Sequence, residues 1–178
     1  NTASNKGGAI YIGYNSNLKS IYIKDTIIDE NIATNEGGSI YIEGITDQQT
    51  TPILTFINNS MKNNKSKEKY GCIYIETSDQ IYFESCLFYN NSVSEQLSGD
   101  DDDLNNKNQE FDCGALFINY LPKASSIILT DTEFNRNNVE GNFGAVFIST
   151  KDSQESSITL NYCRFIRNHA DGKYGAFF

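Results

Sequence analysis

The chain has 178 residues, of which 38% are hydrophobic and 21% charged, and carries a net charge of −9 with a pI near 4.5. That balance suits one ordinary globular domain and excludes a disordered chain. The acidity excludes nucleic acid as a partner, since phosphate binding relies on clustered Lys and Arg, and no apolar run approaches the roughly 18 to 20 residues of a transmembrane segment.

From Asn1 onward a single skeleton recurs, written most fully from Ile127 to Ile148 as IILTDTEFNRNNVEGNFGAVFI. Runs of β-branched and aromatic residues open at Ile21, Leu54, Ile81, Ile127 and Ile158, and ten residues after each stands an asparagine: Asn31, Asn64, Asn91, Asn137 and Asn168. Asn1 opens the chain at the same phase. Six residues past Asn1 comes Gly7-Gly8-Ala9-Ile10-Tyr11-Ile12, and the same six-residue step leads from Asn31 to Gly37, Asn64 to Tyr70, Asn137 to Phe143 and Asn168 to Tyr174. The Asn-to-Asn intervals are 30, 33, 27, 46 and 31 residues. The long interval follows Asn91, where 22 residues precede Cys113 instead of six, an insertion of about 94–112.

A fixed period of this length marks a repeat architecture. Ile21-Tyr22-Ile23, Ile73-Tyr74-Ile75, Ile81-Tyr82-Phe83 and Leu116-Phe117-Ile118 are bounded by Gly, Asn, Asp and Ser, which is the composition of strands. A repeat of two or three short strands cannot bury its apolar face alone, so successive copies stack, each strand pairing in parallel with its counterparts. The expected fold is all-β, a parallel β-helix (β-solenoid) of about five to six coils with one long loop insertion. Because the chain begins inside one repeat and stops inside another, 1–178 reads as a single segment of a larger protein.

Side chains alternate along a strand. If Ile10, Ile12, Ile21 and Ile23 fill the bore, then Ile28, Met61, Phe88, Phe134 and Phe165 form a further inward column, and the rings of Tyr11, Tyr41, Tyr74, Phe117, Phe147 and Phe178 project outward. Those rings would form an exposed aromatic stripe, available to another protein, another copy or sugar rings, or else a stack that stiffens the sheet. The asparagines Asn31, Asn64, Asn91, Asn137 and Asn168 should form a structural ladder, each amide pairing with its equivalent one coil away. Gly8, Gly38, Gly71, Gly114, Gly144 and Gly175 mark a corner that needs either a positive φ or close backbone approach.

Phe88-Tyr89-Asn90-Asn91, Phe134-Asn135-Arg136-Asn137 and Phe165-Ile166-Arg167-Asn168, with Gly7-Gly8-Ala9-Ile10 and Gly37-Gly38-Ser39-Ile40, resemble the paired F-x-x-N and G-G-A-I signature of the polymorphic outer membrane protein repeat. The match spans nearly the whole chain. It departs at Tyr70, Cys113, Phe143 and Tyr174 in place of the first Gly, and at Ile28 and Met61 in place of the Phe. The resemblance implies a right-handed parallel β-helix of the pectin-lyase-like class, in a secreted or surface-exposed, adhesin-like protein.

That class also holds polysaccharide lyases and hydrolases, whose sites need acidic clusters on adjacent coils. Here Glu43 and Glu76 alone are acidic neighbours in one outward column, with no basic column beside them, so they read as a solvated face, and His169 reads as an exposed turn residue. The insertion carries Asp100-Asp101-Asp102-Asp103 without the alternating spacing of a calcium loop, so no metal or cofactor is expected. Cys86 and Cys163 stand two coils apart, about 10 Å by strand spacing and beyond disulfide reach. Cys72 and Cys113 are displaced by two residues on neighbouring coils, and a bridge across the bore from Cys72 to Cys86 stays open. Asn58-Asn59-Ser60 and Asn90-Asn91-Ser92 are candidate N-glycosylation sequons, whereas Asn64-Lys65-Ser66 uses a ladder asparagine. The expectation is a non-enzymatic structural or adhesion segment of an extracellular or cell-surface protein, its partners being other surface proteins, glycans or further copies of itself. The alternative is a carbohydrate-active enzyme whose site lies largely outside the segment.

Overall fold

A computed structural model describes residues 1–13, 18–44, 51–94, 112–122, 124–150 and 155–177. Among these residues every strand pairs in parallel and there is no helix. The chain winds as a right-handed parallel β-helix whose coils contribute to four sheets in turn. A corner sheet of two-residue strands runs from Thr2–Ala3 through Ile32–Ala33, Lys65–Ser66, Ser92–Val93 and Asn138–Val139 to His169–Ala170. The aromatic sheet stacks Ile10–Ile12, Ile40–Ile42, Ile73–Thr77, Leu116–Tyr120 and Val146–Ile148. A long sheet of five-residue strands stacks Ser20–Lys24, Ile53–Ile57, Gln80–Glu84, Ser126–Thr130 and Ser157–Asn161. The phenylalanine sheet stacks Ile27–Asp29, Ser60–Lys62, Leu87–Tyr89, Glu133–Asn135 and Arg164–Ile166.

The register follows the repeat without slippage. Ile21 pairs with Leu54, Leu54 with Ile81, Ile81 with Ile127 and Ile127 with Ile158. Ile28, Met61, Phe88, Phe134 and Phe165 likewise align in one column. A one-residue slip would turn each inward side chain to the surface, so the burial of the bore fixes the pairing. Phe56 stacks on Phe83 with centroids 4.5 Å apart, Phe88 on Phe134 at 4.6 Å and Phe134 on Phe165 at 5.1 Å, so like residues pile on like along the axis. The insertion after Asn91 leaves this stacking unbroken, because Ser92 pairs with Asn138 across it. The insertion's own residues from 95 to 111, with the four aspartates, lie outside the described residues.

Two corners of each coil turn on one residue in the left-handed region. Between the long and phenylalanine sheets these are Asp25, Asn58, Ser85, Asp131 and Tyr162; before the ladder asparagines they are Glu30, Asn63, Asn90, Arg136 and Arg167, with φ from 48° to 56°. Asn and Asp tolerate this conformation, while Tyr and Arg sit there because stacking on the neighbouring coil dictates the turn.

The glycine column has a different cause. None of Gly8, Gly38, Gly71, Gly114 or Gly144 has a positive φ, yet a Cβ at each would stand 2.1–2.4 Å from the carbonyl oxygen of the next glycine in the column. Positive φ belongs one residue earlier, at Gly7, Gly37, Tyr70 and Tyr174. The two glycines of the Gly-Gly pair thus answer to separate constraints, the second to close approach between coils and the first to a left-handed φ that Tyr70 and Tyr174 also adopt.

Candidate functional site

The asparagine column is one continuous chain of hydrogen bonds. Asn1 Nδ2 donates to Asn31 Oδ1 at 2.7 Å, Asn31 to Asn64 at 2.9 Å, Asn64 to Asn91 at 3.0 Å, Asn91 to Asn137 at 3.0 Å and Asn137 to Asn168 at 2.9 Å. Each acceptor oxygen from Asn64 to Asn168 also takes the backbone N–H of the asparagine one coil earlier. The second amide hydrogen of Asn64, Asn91, Asn137 and Asn168 goes to a backbone carbonyl, of Ile28, Met61, Phe88 and Phe134 in turn. Asn31, Asn64, Asn91 and Asn137 are buried. Their polar atoms are engaged with protein and offer nothing to a ligand.

The aromatic stripe differs from its expected exposure. Tyr11 is 51% exposed, but Tyr41, Tyr74, Phe117 and Phe147 are all buried to 5% or less, and they form a second apolar cluster outside the bore. Phe178 lies outside the described residues. The rings do stack along the axis, at 5.8 Å from Tyr11 to Tyr41, 4.5 Å from Tyr41 to Tyr74, 5.7 Å from Tyr74 to Phe117 and 4.6 Å from Phe117 to Phe147. At the 5.7 Å interval Tyr70 leans over both neighbours, with its centroid 4.5 Å from Tyr74 and 4.2 Å from Phe117. Phe143 covers Phe147 in the same way at 4.5 Å. The residues that break the Gly-Gly signature are therefore side cover for the stack. Strand alternation correctly separates bore from exterior; it carries no information on what packs over the exterior, so it left an exposed face and a stiffening stack both open, and the rings are in the stack.

The three tyrosine hydroxyls of this stack are each satisfied. Tyr11 donates to Glu43 Oε2 at 2.9 Å, Tyr74 donates to Glu76 Oε2, and Lys6 Nζ donates to Tyr41 Oη at 2.9 Å while pairing with Glu36 at 3.0 Å. Burial, reinforced by the Glu76 carboxylate, pushes the Tyr74 phenol far above its ordinary value. The other oxygen of Glu76 accepts from Asn119 Nδ2 at 2.8 Å. Glu43 and Glu76 directly follow the paired triplets Ile40–Ile42 and Ile73-Tyr74-Ile75, but both serve as acceptors for structural donors. Among the described residues no group of three or more His, Cys, Asp and Glu is arranged to hold a metal ion. His169 is exposed and pairs with Asp171 at 2.7 Å.

All four cysteines are free thiols, so the Cys72–Cys86 bridge does not form. Burial pushes the Cys72 and Cys113 thiols up to about 12, and the Cys86 thiol is raised for the same reason. A thiolate is the reactive species. Iodoacetamide on the folded protein should therefore modify Cys163, the half-buried one, well before the other three, as read by peptide mass; early labelling of Cys113 would contradict its burial.

The sequon asparagines fall on corners. Asn58 and Asn90 are exposed and left-handed, each donating its amide along the axis, to Asp25 Oδ1 at 2.7 Å and to Asn63 Oδ1 at 2.8 Å.

The outer face of the long sheet is a surface that the repeat signature does not single out. Its central column is Tyr22, Thr55, Tyr82, Ile128 and Thr159, flanked by columns starting at Ser20 and Lys24. No outward residue of these five strands is buried, whereas the aromatic sheet from Ile40–Ile42 onward is covered on both faces over its apolar triplets. The signal was available as an absence of charge: of the outward side chains on the face, Lys24 and Glu84 alone are charged. No helix among the described residues is long and apolar enough to cross a membrane. No family model, no curated protein and no solved structure matches the chain.

Proposed function

We propose that the chain is a non-enzymatic scaffold of a cell-surface or secreted protein, stiff along its axis and presenting an interaction face for adhesion. The observation that carries this reading is the continuity of the bore and of the asparagine chain from Asn1 to Asn168, which couples every coil to the next and resists bending. The engagement of Glu43 and Glu76 by Tyr11, Tyr74 and Asn119 supports the non-enzymatic part, because a general acid or base needs a free oxygen facing the substrate. The likeness of Phe134-Asn135-Arg136-Asn137 and Gly37-Gly38-Ser39-Ile40 to the polymorphic outer membrane protein repeat supports a surface location, as does the exposure of two sequon asparagines.

Peptide mapping of the protein from its natural source should find N-glycan at Asn58 or Asn90 and none at Asn64, whose amide is built into the ladder. An unmodified protein recovered from the cell interior would overturn the localisation. Incubation with plant, algal and microbial polysaccharides should leave their chain lengths unchanged; release of oligosaccharides would overturn the non-enzymatic reading.

A further inference from the structure

We propose that the outer face of the long sheet binds an extended, uncharged oligosaccharide laid along the coil axis. The proposal rests on the scaffold reading above and names the partner class of its interaction face. Three observations converge on it.

The first is shape. Five parallel strands of five residues make a regular platform about 16 Å by about 24 Å from strand rise and spacing, and no outward residue on it is buried. The platform covers roughly 400 Å², about half of the 800 Å² per partner that a stable protein–protein interface uses. It is too small for a second copy of this chain and large enough for one linear glycan.

The second is charge. The protein carries −9 overall, yet the face presents one Lys and one Glu at its edge column and otherwise Ser, Thr, Gln, Asn, Tyr and Ile. A neutral surface on an acidic molecule suits a neutral ligand and disfavours nucleic acid or a polyuronate.

The third is the placement of rings. Tyr22, 61% exposed, and Tyr82 share one axial column with Thr55 between them, two coils apart and so about 10 Å along the axis. A pyranose presents a face of C–H bonds, slightly positive, to the negative face of an aromatic ring. Two rings in line two coils apart can therefore support alternate sugars of an extended chain. Between and beside them, the hydroxyls of Thr55 and Thr159 and the amide of Gln80, which accepts from the Tyr82 hydroxyl at 3.2 Å, supply donors and acceptors at the axial repeat.

The test is calorimetric titration of the whole chain with hexasaccharides of β-1,4-linked glucose, N-acetylglucosamine, xylose and mannose, with hexagalacturonate as the anionic counterpart. At least one neutral hexasaccharide should bind. Tyr22→Ala and Tyr82→Ala should each weaken binding about tenfold or more, and Thr55→Lys, between the two tyrosines, should also weaken it. Tyr11→Ala, an exposed ring on the neighbouring sheet, should leave it unchanged. These side chains are outside the core, and an unchanged circular dichroism spectrum confirms folding. The proposal is overturned by failure of all neutral hexasaccharides to bind, by tighter binding of hexagalacturonate, by loss of binding in Tyr11→Ala alone, or by a sedimenting dimer that Thr55→Lys dissociates. A bound hexasaccharide that is also cleaved would leave this face standing and remove the scaffold reading; absence of binding would do the reverse.

Discussion

Gly71→Ala should destabilise the protein by about 4 kcal/mol or more, the upper range of overpacking, although it adds one methyl group. The Cβ would stand 2.4 Å from the carbonyl oxygen of Gly114 on the next coil, and 2.7 Å and 2.8 Å from the carbonyl carbon and oxygen of Ser92 on the corner sheet. All three atoms are backbone, each held in parallel pairing, so no side chain can swing aside to relieve the contact. Moving Gly114 would carry Gly144 with it, whose carbonyl oxygen lies 2.2 Å from where a Cβ on Gly114 would be. Gly175→Ala is the internal control. In the 178-residue chain Gly175 has no nearer neighbour to a Cβ than Asn168 O at 3.6 Å, so that variant should shift stability by less than about 0.5 kcal/mol. Urea unfolding of the two variants measures the difference; similar midpoints would show that the column is not set by coil-to-coil approach.

The contrast between those two glycines shows where sequence reading reached and where it stopped. The column itself was legible, because Gly8, Gly38, Gly71, Gly114, Gly144 and Gly175 recur at one phase of the repeat. Its cause was not, since positive φ and close approach leave the same residue in the sequence; only the placement of Gly114 O decides between them. The bore was legible for a related reason: Phe88, Phe134 and Phe165 fall at a fixed distance from a strand whose alternation is known, and stacking then determines their partners. The exterior was not. Tyr74 and Tyr22 are both outward tyrosines in the pattern Ile-Tyr-Ile, yet one is 4% and the other 61% exposed. Tyr74 lies between the rings of Tyr41 and Phe117 in a covered stack, and the left-handed Tyr70, four residues earlier, folds a further ring over it. The sequence marks that residue only as a departure from Gly-Gly. The left-handed corners were invisible for the opposite reason, because Glu30, Asn63, Asn90, Arg136 and Arg167 share a conformation and no chemistry.

Asn91→Ala should cost on the order of 4 kcal/mol, although it removes only a carboxamide from a site with no solvent contact. The Oδ1 of Asn91 accepts from both the backbone N–H and the amide of Asn64, each at 3.0 Å, and its Nδ2 donates to Met61 O at 3.1 Å and to Asn137 Oδ1 at 3.0 Å. Truncation leaves the backbone N–H and one amide hydrogen of Asn64 without their acceptor in a place that water does not reach, and an unpaired buried polar group costs about 1 to 3 kcal/mol. The Asn137 oxygen keeps the backbone N–H of Asn91 as a donor, which holds the sum below four full penalties. Asn91→Asp separates hydrogen bonding from packing, because it preserves the shape and both acceptor contacts to Asn64. It also places a carboxylate oxygen against Met61 O and Asn137 Oδ1, two acceptors of which a protonated carboxyl could donate to one. Burial and these neighbours should raise the folded-state pKa of the new carboxyl above its unfolded value of about 3.9. Between the two values the folded state holds more protons than the unfolded state, so the stability of Asn91→Asp should fall as pH rises from about 4 through the folded pKa, and level off beyond it. Urea midpoints taken from acid to neutral pH, each set against the parent at the same pH, read this directly. A deficit that is constant across that range would mean that the carboxyl stays ionised and solvated, and hence that the asparagine chain opens to water at the coil where it crosses the insertion.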